Sequence, residues 1–260
     1  MKGRTLWFIA LTVLSLVAAF LLPAVRQPLD YHDFADHRHA LGIENFFDVV
    51  SNAGFLIAGL WGFVIILGRR TRFASASEHW PYTVFFLGLV LTALGSGYYH
   101  LAPDNESLFW DRLPMTIAFM GLVSSQIVDR ISVRAGLFVL LPLLLLGVAS
   151  VVYWRATERM GASNVMPYAI LQGYTVIVLL LLAILNPSRY TRGNDIYWVF
   201  GWYMLSKLLE TFDTEVLALN HVISGHTLKH FAAAAAGFTV CCMLLRRTLK
   251  QREVAAGHGS

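Results

Sequence analysis

Charge is scarce in this chain. Asp, Glu, Lys and Arg together make up 14% of the 260 residues, against about a quarter in ordinary soluble domains. That shortage argues against a soluble globular protein. Cysteine is scarcer still: Cys241 and Cys242 are adjacent in an apolar run. Neighbouring side chains on a helix point apart, so no disulfide framework is built from them. No internal repeat is evident, which weighs against a transporter assembled from two related halves. A sizeable soluble domain that could relay a signal is also missing. The net charge is +4, but the basic residues fall in short loops, where they set membrane topology rather than a nucleic-acid surface.

What the chain has in excess is apolar length. Hydrophobic residues reach 57% and mean hydropathy is +0.59. Runs of about 17–25 apolar residues span a bilayer as helices. Eight are readable: Leu6–Val25, Phe46–Leu67, Pro81–His100, Leu113–Val128, Ala135–Tyr153, Val165–Leu185, Ile196–Thr211 and His226–Leu245. The expected fold is an all-α membrane protein of eight transmembrane helices. The first run has a basic start, Lys2 and Arg4, but is long and lacks a clear cleavage site, so it reads as a retained helix. The seventh contains Lys207 and Glu210, spaced to pair on one helix face as a structural ion pair.

Loop charge orients the bundle. Lys2, Arg4, Arg69, Arg70, Arg72, Arg130, Arg134, Arg189, Arg192, Arg246, Arg247, Lys250 and Arg252 lie on one side. Only Arg26, Arg38, Arg112, Arg155 and Arg159 lie on the other. The bias assigns both termini to the cytoplasm, and short loops in a compact chain suggest a bacterial inner membrane. Trp80, Trp110, Trp154 and Trp198, with Tyr98, Tyr99 and Tyr153, read as interfacial aromatics near helix ends.

On the outer side the ends of three spans carry His100, Asp111, His226 and His230. Polar groups at membrane depth are expensive, and each is a site hypothesis by default. His226 and His230 stand at i and i+4, on one helix face about 6 Å apart. With His100 they supply three imidazoles and no thiolate. That is a set suited to zinc with one position open for water. Ser96, one turn before His100, could donate to a developing oxyanion. Asp111 could take a proton from water acidified by the metal; three residues before Pro114, it could instead simply cap the fourth span. Glu44, Asp48 and Asn52 recur at i, i+4 and i+8 as a polar stripe. His32, His37, His39, His79 and His221 read as loop histidines, with His221 nearest the site.

These residues resemble the alkaline ceramidase family, part of the CREST superfamily of membrane hydrolases that includes the adiponectin-receptor group. The likeness lies in Ser96 and His100 as SxxxH, Asp111 eleven residues on, and His226-Thr-Leu-Lys-His230 as HxxxH in the last helix. Phe46-Phe47-Asp48-Val49-Val50-Ser51-Asn52 is similar to the family's first helix. The resemblance implies a seven-helix catalytic core over residues 46–247, preceded by an extra helix in 1–27 and an outer acidic loop in 28–45, and followed by a cytoplasmic tail in 248–260. It further implies zinc on His100, His226 and His230, with Asp111 and Ser96 catalytic, and hydrolysis of a ceramide-type lipid amide to a long-chain base and a fatty acid. The alternative is a non-enzymatic, zinc-braced receptor akin to the adiponectin-receptor group. The family's calcium site lies in an acidic segment before its first helix. Here Asp30, Asp33, Asp36 and Glu44 follow a different pattern, and Asn45 stands where a carboxylate is expected. These departures weigh toward solvated loop acids rather than Ca²⁺ ligands.

Overall fold

The computed structural model describes residues 3–68 and 73–250. Lys2, Arg69, Arg70, Arg72 and Arg252, counted above among the topogenic charges, lie outside the described residues, as does the tail from 251 onward. The helices are α1 (Gly3–Leu21), α2 (Phe46–Val50), α3 (Ala53–Leu67), α4 (His79–Leu101), α5 (Asn105–Arg130), α6 (Val133–Arg159), α7 (Met166–Leu185), α8 (Ile196–Thr211), α9 (Asp213–Asn220) and α10 (Gly225–Arg246). Among the described residues there is no β-strand beyond two isolated bridges.

Among the described residues five segments are long and apolar enough to cross a membrane: Phe46–Leu67, Ala76–Leu101, Val133–Arg159, Met166–Leu185 and Gly225–Arg246. The other three expected spans are present as helices; the described part of α1 is apolar over Leu6–Leu21, while the other two fall short of that standard. α5 is diluted by Glu106, Asp111, Arg112, Asp129 and Arg130, and α8 has only 16 residues. Outward-facing Phe138, Leu141 and Leu145 of α6 are more than half exposed, an apolar surface suited to lipid.

α1 ends at Leu21 rather than Val25, α6 runs six residues past Tyr153 to Arg159, and the short α9 has no counterpart among the expected spans; two further differences each have a local reason. The run Phe46–Leu67 is interrupted at Ser51-Asn52. The Ser51 hydroxyl and the Asn52 amide both donate back to the Asp48 carbonyl, at 3.1 and 2.8 Å. Such side chains compete with the helical ladder. α5 begins eight residues before the expected Leu113. Its cap is Asp104, whose carboxylate accepts the Ser107 N–H at 2.6 Å. Asp111 is therefore inside the helix rather than its cap, and Pro114 is interior.

Interior Pro114 shapes the packing. It has no N–H to give the carbonyl of Trp110, four residues earlier. That carbonyl faces Gly95 of α4, where an added Cβ would stand 1.9 Å from it. At Gly88, two turns before, a Cβ would lie 2.4 Å from the backbone of Ala118. Small residues at these crossings let α4 and α5 approach closely. α5 is flanked by α4 and α6, α10 by α3 and α8, and α1 packs on α7 at the edge. The main core joins α3, α4, α5, α8 and α10 through Phe55, Phe86, Leu89, Leu122, Val199 and Leu244.

α4 and α10 run antiparallel, so the histidine end of the bundle is opposite the end that carries Arg247. That far end is closed by a buried network. Arg247 donates to Asp129 at 2.8 Å, Tyr82 donates to the same carboxylate at 2.6 Å, and Arg130 donates to the Asn186 carbonyl at 2.9 Å. Arg130 and Arg247, read above as loop charges, are thus buried: Arg247 is paired with Asp129, and Arg130 donates to Gln126 and to backbone carbonyls. Trp154 and Tyr99, read as interfacial, are fully buried, whereas Trp80, Trp110, Trp198, Tyr98 and Tyr153 are exposed.

Candidate metal centre

His100 ends α4, while His226 and His230 occupy the opening turns of α10. All three are buried, at 1%, 5% and 4% exposure. Their ring centroids form a near-equilateral triangle with sides of 4.8, 5.0 and 5.1 Å. One ligating nitrogen from each lies within 4.8 Å of the others. The Nε2 atoms of His100 and His226 are 3.3 Å apart. Two nitrogens each about 2.05 Å from one tetrahedral ion would be about 3.3 Å apart. The donors thus fit a small divalent cation. Among the described residues this is the one cluster of three or more such side chains able to hold a metal.

The surroundings orient these rings. Ser51 lies 2.7 Å from His230 Nδ1. Ser51 Oγ also lies 3.1 Å from the Asp48 carbonyl; in the tautomer with Nδ1–H donating to Ser51, His230 Nε2 keeps its lone pair for a cation. Asn45, left-handed at φ 47°, donates to the His100 carbonyl at 2.9 Å. Asp48 is fully buried and accepts from the Thr227 hydroxyl at 2.6 Å, joining α2 to α10. The polar stripe is therefore real for Asp48 and Asn52. Glu44 precedes the helix and is exposed.

Ser96 is buried one turn before His100. Its hydroxyl faces the Asp111 carboxylate across the α4–α5 contact. Ser96, Asp111 and His230 share the wall of one cavity of about 160 Å³, which continues between apolar residues of α5, α7, α8 and α10. Gly97, unlike Gly95, has no neighbour within 4 Å of an added Cβ.

Three contributors carried no legible signal. Phe34 is buried on the histidines, its ring centroid 4.7 Å from that of His100 and 4.4 Å from that of His226. Asp213, at the start of α9, accepts the backbone N–H of His226 at 2.6 Å and that of Ala35 at 2.9 Å. It thereby fastens the segment before α2 to the N-terminus of α10. Lys229, inside the HxxxH motif, donates to Glu210 at 2.6 Å, and Lys207 donates to the other oxygen of that carboxylate at 2.6 Å. The expected Lys207–Glu210 pair is thus one half of a trio.

The remaining candidates are elsewhere. His32 bridges Tyr99 and Asn105 at 2.8 and 2.9 Å. His221 is exposed at the end of α9, against a surface depression beside Ala35–Arg38. Asp30, Asp33 and Glu44 are exposed, and Asp36 is engaged by the Arg38 guanidinium at 2.8 Å. Burial alone would raise the Asp36 pKa, but hydrogen bonds from Arg38 hold it below the ordinary carboxylate range. The loop acids do not converge on one point.

No protein-family model matches the chain, and no curated protein matches it. The buried three-histidine group defines a helical protein with a candidate metal centre.

Proposed function

We propose that the chain is an integral membrane, zinc-dependent hydrolase that cleaves a ceramide-type lipid amide to a long-chain base and a fatty acid. The observation that carries this reading is the meeting of His100, His226 and His230, the last of which shares the wall of one apolar cavity with Ser96 and Asp111. The likeness of SxxxH, Asp111 and HxxxH to the alkaline ceramidases supports it. So does the donor set: three neutral imidazoles and no thiolate leave a coordination position open, as catalytic zinc sites do.

Zinc held by these nitrogens would supply Lewis acidity, polarising a carbonyl and lowering the pKa of water toward about 7. The chain's own groups do the rest. Asp111 accepts the proton of the attacking water and returns it to the departing amine. Ser96 donates to the oxygen of the tetrahedral intermediate. The water oxygen bonds to the amide carbon, the C–N bond breaks, and the products are a carboxylic acid and an amine. Phe34 and the segment tied down by Asp213 shield the reaction from bulk water. The apolar cavity takes the alkyl chain. All eight expected spans cross the bilayer in this reading, with both termini cytoplasmic and the histidines toward the outer face.

The test is His230→Ala, purified in detergent, with bound zinc measured by elemental analysis and turnover by mass spectrometry on a ceramide panel. Stoichiometric zinc and hydrolysis are expected in the parent and absent in the variant. Retention of both by the variant overturns the assignment. Parent protein that binds zinc and turns over no lipid amide points to a metal-braced receptor instead.

A further inference from the structure

The chain has only four lysines, and two of them, Lys207 and Lys229, line the cavity that adjoins the histidines. They belong to α8 and α10. Glu210 is bridged between them, one oxygen to each ammonium at 2.6 Å. Tyr31, from the segment before α2, reaches the same carboxylate at 3.5 Å. Side-chain exposure is 37% for Lys207, 20% for Glu210 and 16% for Lys229. An ammonium in an apolar bundle is costly unless compensated.

A single carboxylate compensates one of the two ammoniums. A staple between α8 and α10 would need only Glu210 and Lys229, so Lys207 is surplus to a purely structural role. Each ammonium has three N–H donors. Each gives one to Glu210 and no other to protein among the described residues. Asp111 also lines the cavity, but its carboxylate faces Ser96. Two ammoniums and one carboxylate leave the trio itself with one net positive charge. A positive, donor-rich patch at the polar end of an apolar cavity suits an anion on a long chain.

We infer that Lys207, Glu210 and Lys229 form the seat of an anionic headgroup, a phosphate or a carboxylate, on the lipid whose chain fills this cavity. The inference rests on reading the cavity as the substrate chamber. It narrows the ceramide-type substrate of that reading to lipid amides that carry an anionic headgroup.

The experiment measures binding, which requires no turnover. Full-length zinc-loaded protein in neutral detergent is titrated with hexadecyl phosphate, palmitate and hexadecanol, three probes of one chain length, and occupancy is read by native mass spectrometry. At least one anionic probe is expected to bind about tenfold or more tighter than the alcohol. A tighter phosphate points to a phosphorylated headgroup, and a tighter palmitate to a carboxylated one. Lys207→Gln leaves the Glu210–Lys229 pair in place, so it is expected to keep hexadecanol binding and lose the anion preference. Lys207→Arg is expected to keep most of that preference. Equal binding of all three probes by the parent protein overturns the inference, as does an undiminished preference in Lys207→Gln. A preference lost in His230→Ala but kept in Lys207→Gln assigns the anion to the metal and likewise overturns it. A preference that survives His230→Ala supports the trio. Protein with the preference but no hydrolysis would sink the hydrolase reading and leave the headgroup seat standing.

Discussion

Ser51 has one proton and two polar neighbours. With that proton on the Asp48 carbonyl the oxygen accepts from His230, the tautomer that leaves Nε2 free for a cation. Ser51→Ala is expected to weaken zinc binding by about 10- to 100-fold. Competition against a calibrated chelator measures that loss, and unchanged affinity would remove Ser51 from the site's support. At this scale His100, Ser96, Asp111, His226 and His230 were all legible, because polar residues stand out against apolar helix ends. Phe34, Asp213 and Lys229 were not. A buried phenylalanine looks like any other in sequence, and Asp213 acts through backbone N–H groups that sequence does not display. Lys229 looked like a spacer between two histidines until α8 placed Glu210 beside it.

Between elements, the contact that positions the site is the α4–α5 crossing. It brings Ser96 to Asp111, and its closeness depends on glycine. Gly88→Val would drive a side chain into the Ala118 backbone. The expected cost is about 1–3 kcal/mol, in the range for overpacked interiors. Gly97→Ala has free space around its new methyl and is expected to stay within about 0.5 kcal/mol of the parent. Unfolding in mixed micelles compares the two, and equal losses would refute the crossing as the reason. The helices themselves were readable from apolar run length, and most boundaries fell within a few residues. Two were hidden for identifiable reasons. The break at Ser51-Asn52 comes from side chains capturing the Asp48 carbonyl, and the early start of α5 comes from a capping pair, Asp104 and Ser107, outside the apolar run.

Across the whole molecule the two ends differ in kind. One end gathers the histidines beneath Phe34, and the other is closed by Arg247, Asp129, Tyr82 and Glu78. The proposed topology puts the second end in the cytoplasm, as the positive-inside bias of the loops favours. Single cysteines placed in a background of Cys241→Ser and Cys242→Ser test this. Glu44→Cys is expected to react with a membrane-impermeant maleimide applied from outside, and Arg134→Cys only after permeabilisation. Reversal of that pattern, or labelling of both from one side, would sink the eight-span topology.

Apolar run length and the spacing of a few polar residues were enough to determine a helical, membrane-type chain with histidines at shared helix ends. They were enough because burying a helix in lipid is a local property of each segment. The closing of three imidazoles to within 4.8 Å, the capture of Lys229 by Glu210 and the seating of Phe34 on the rings were decided only by tertiary structure. Each depends on how far one helix slides and turns against another, and that is set by close packing at residues such as Gly88 and Gly95.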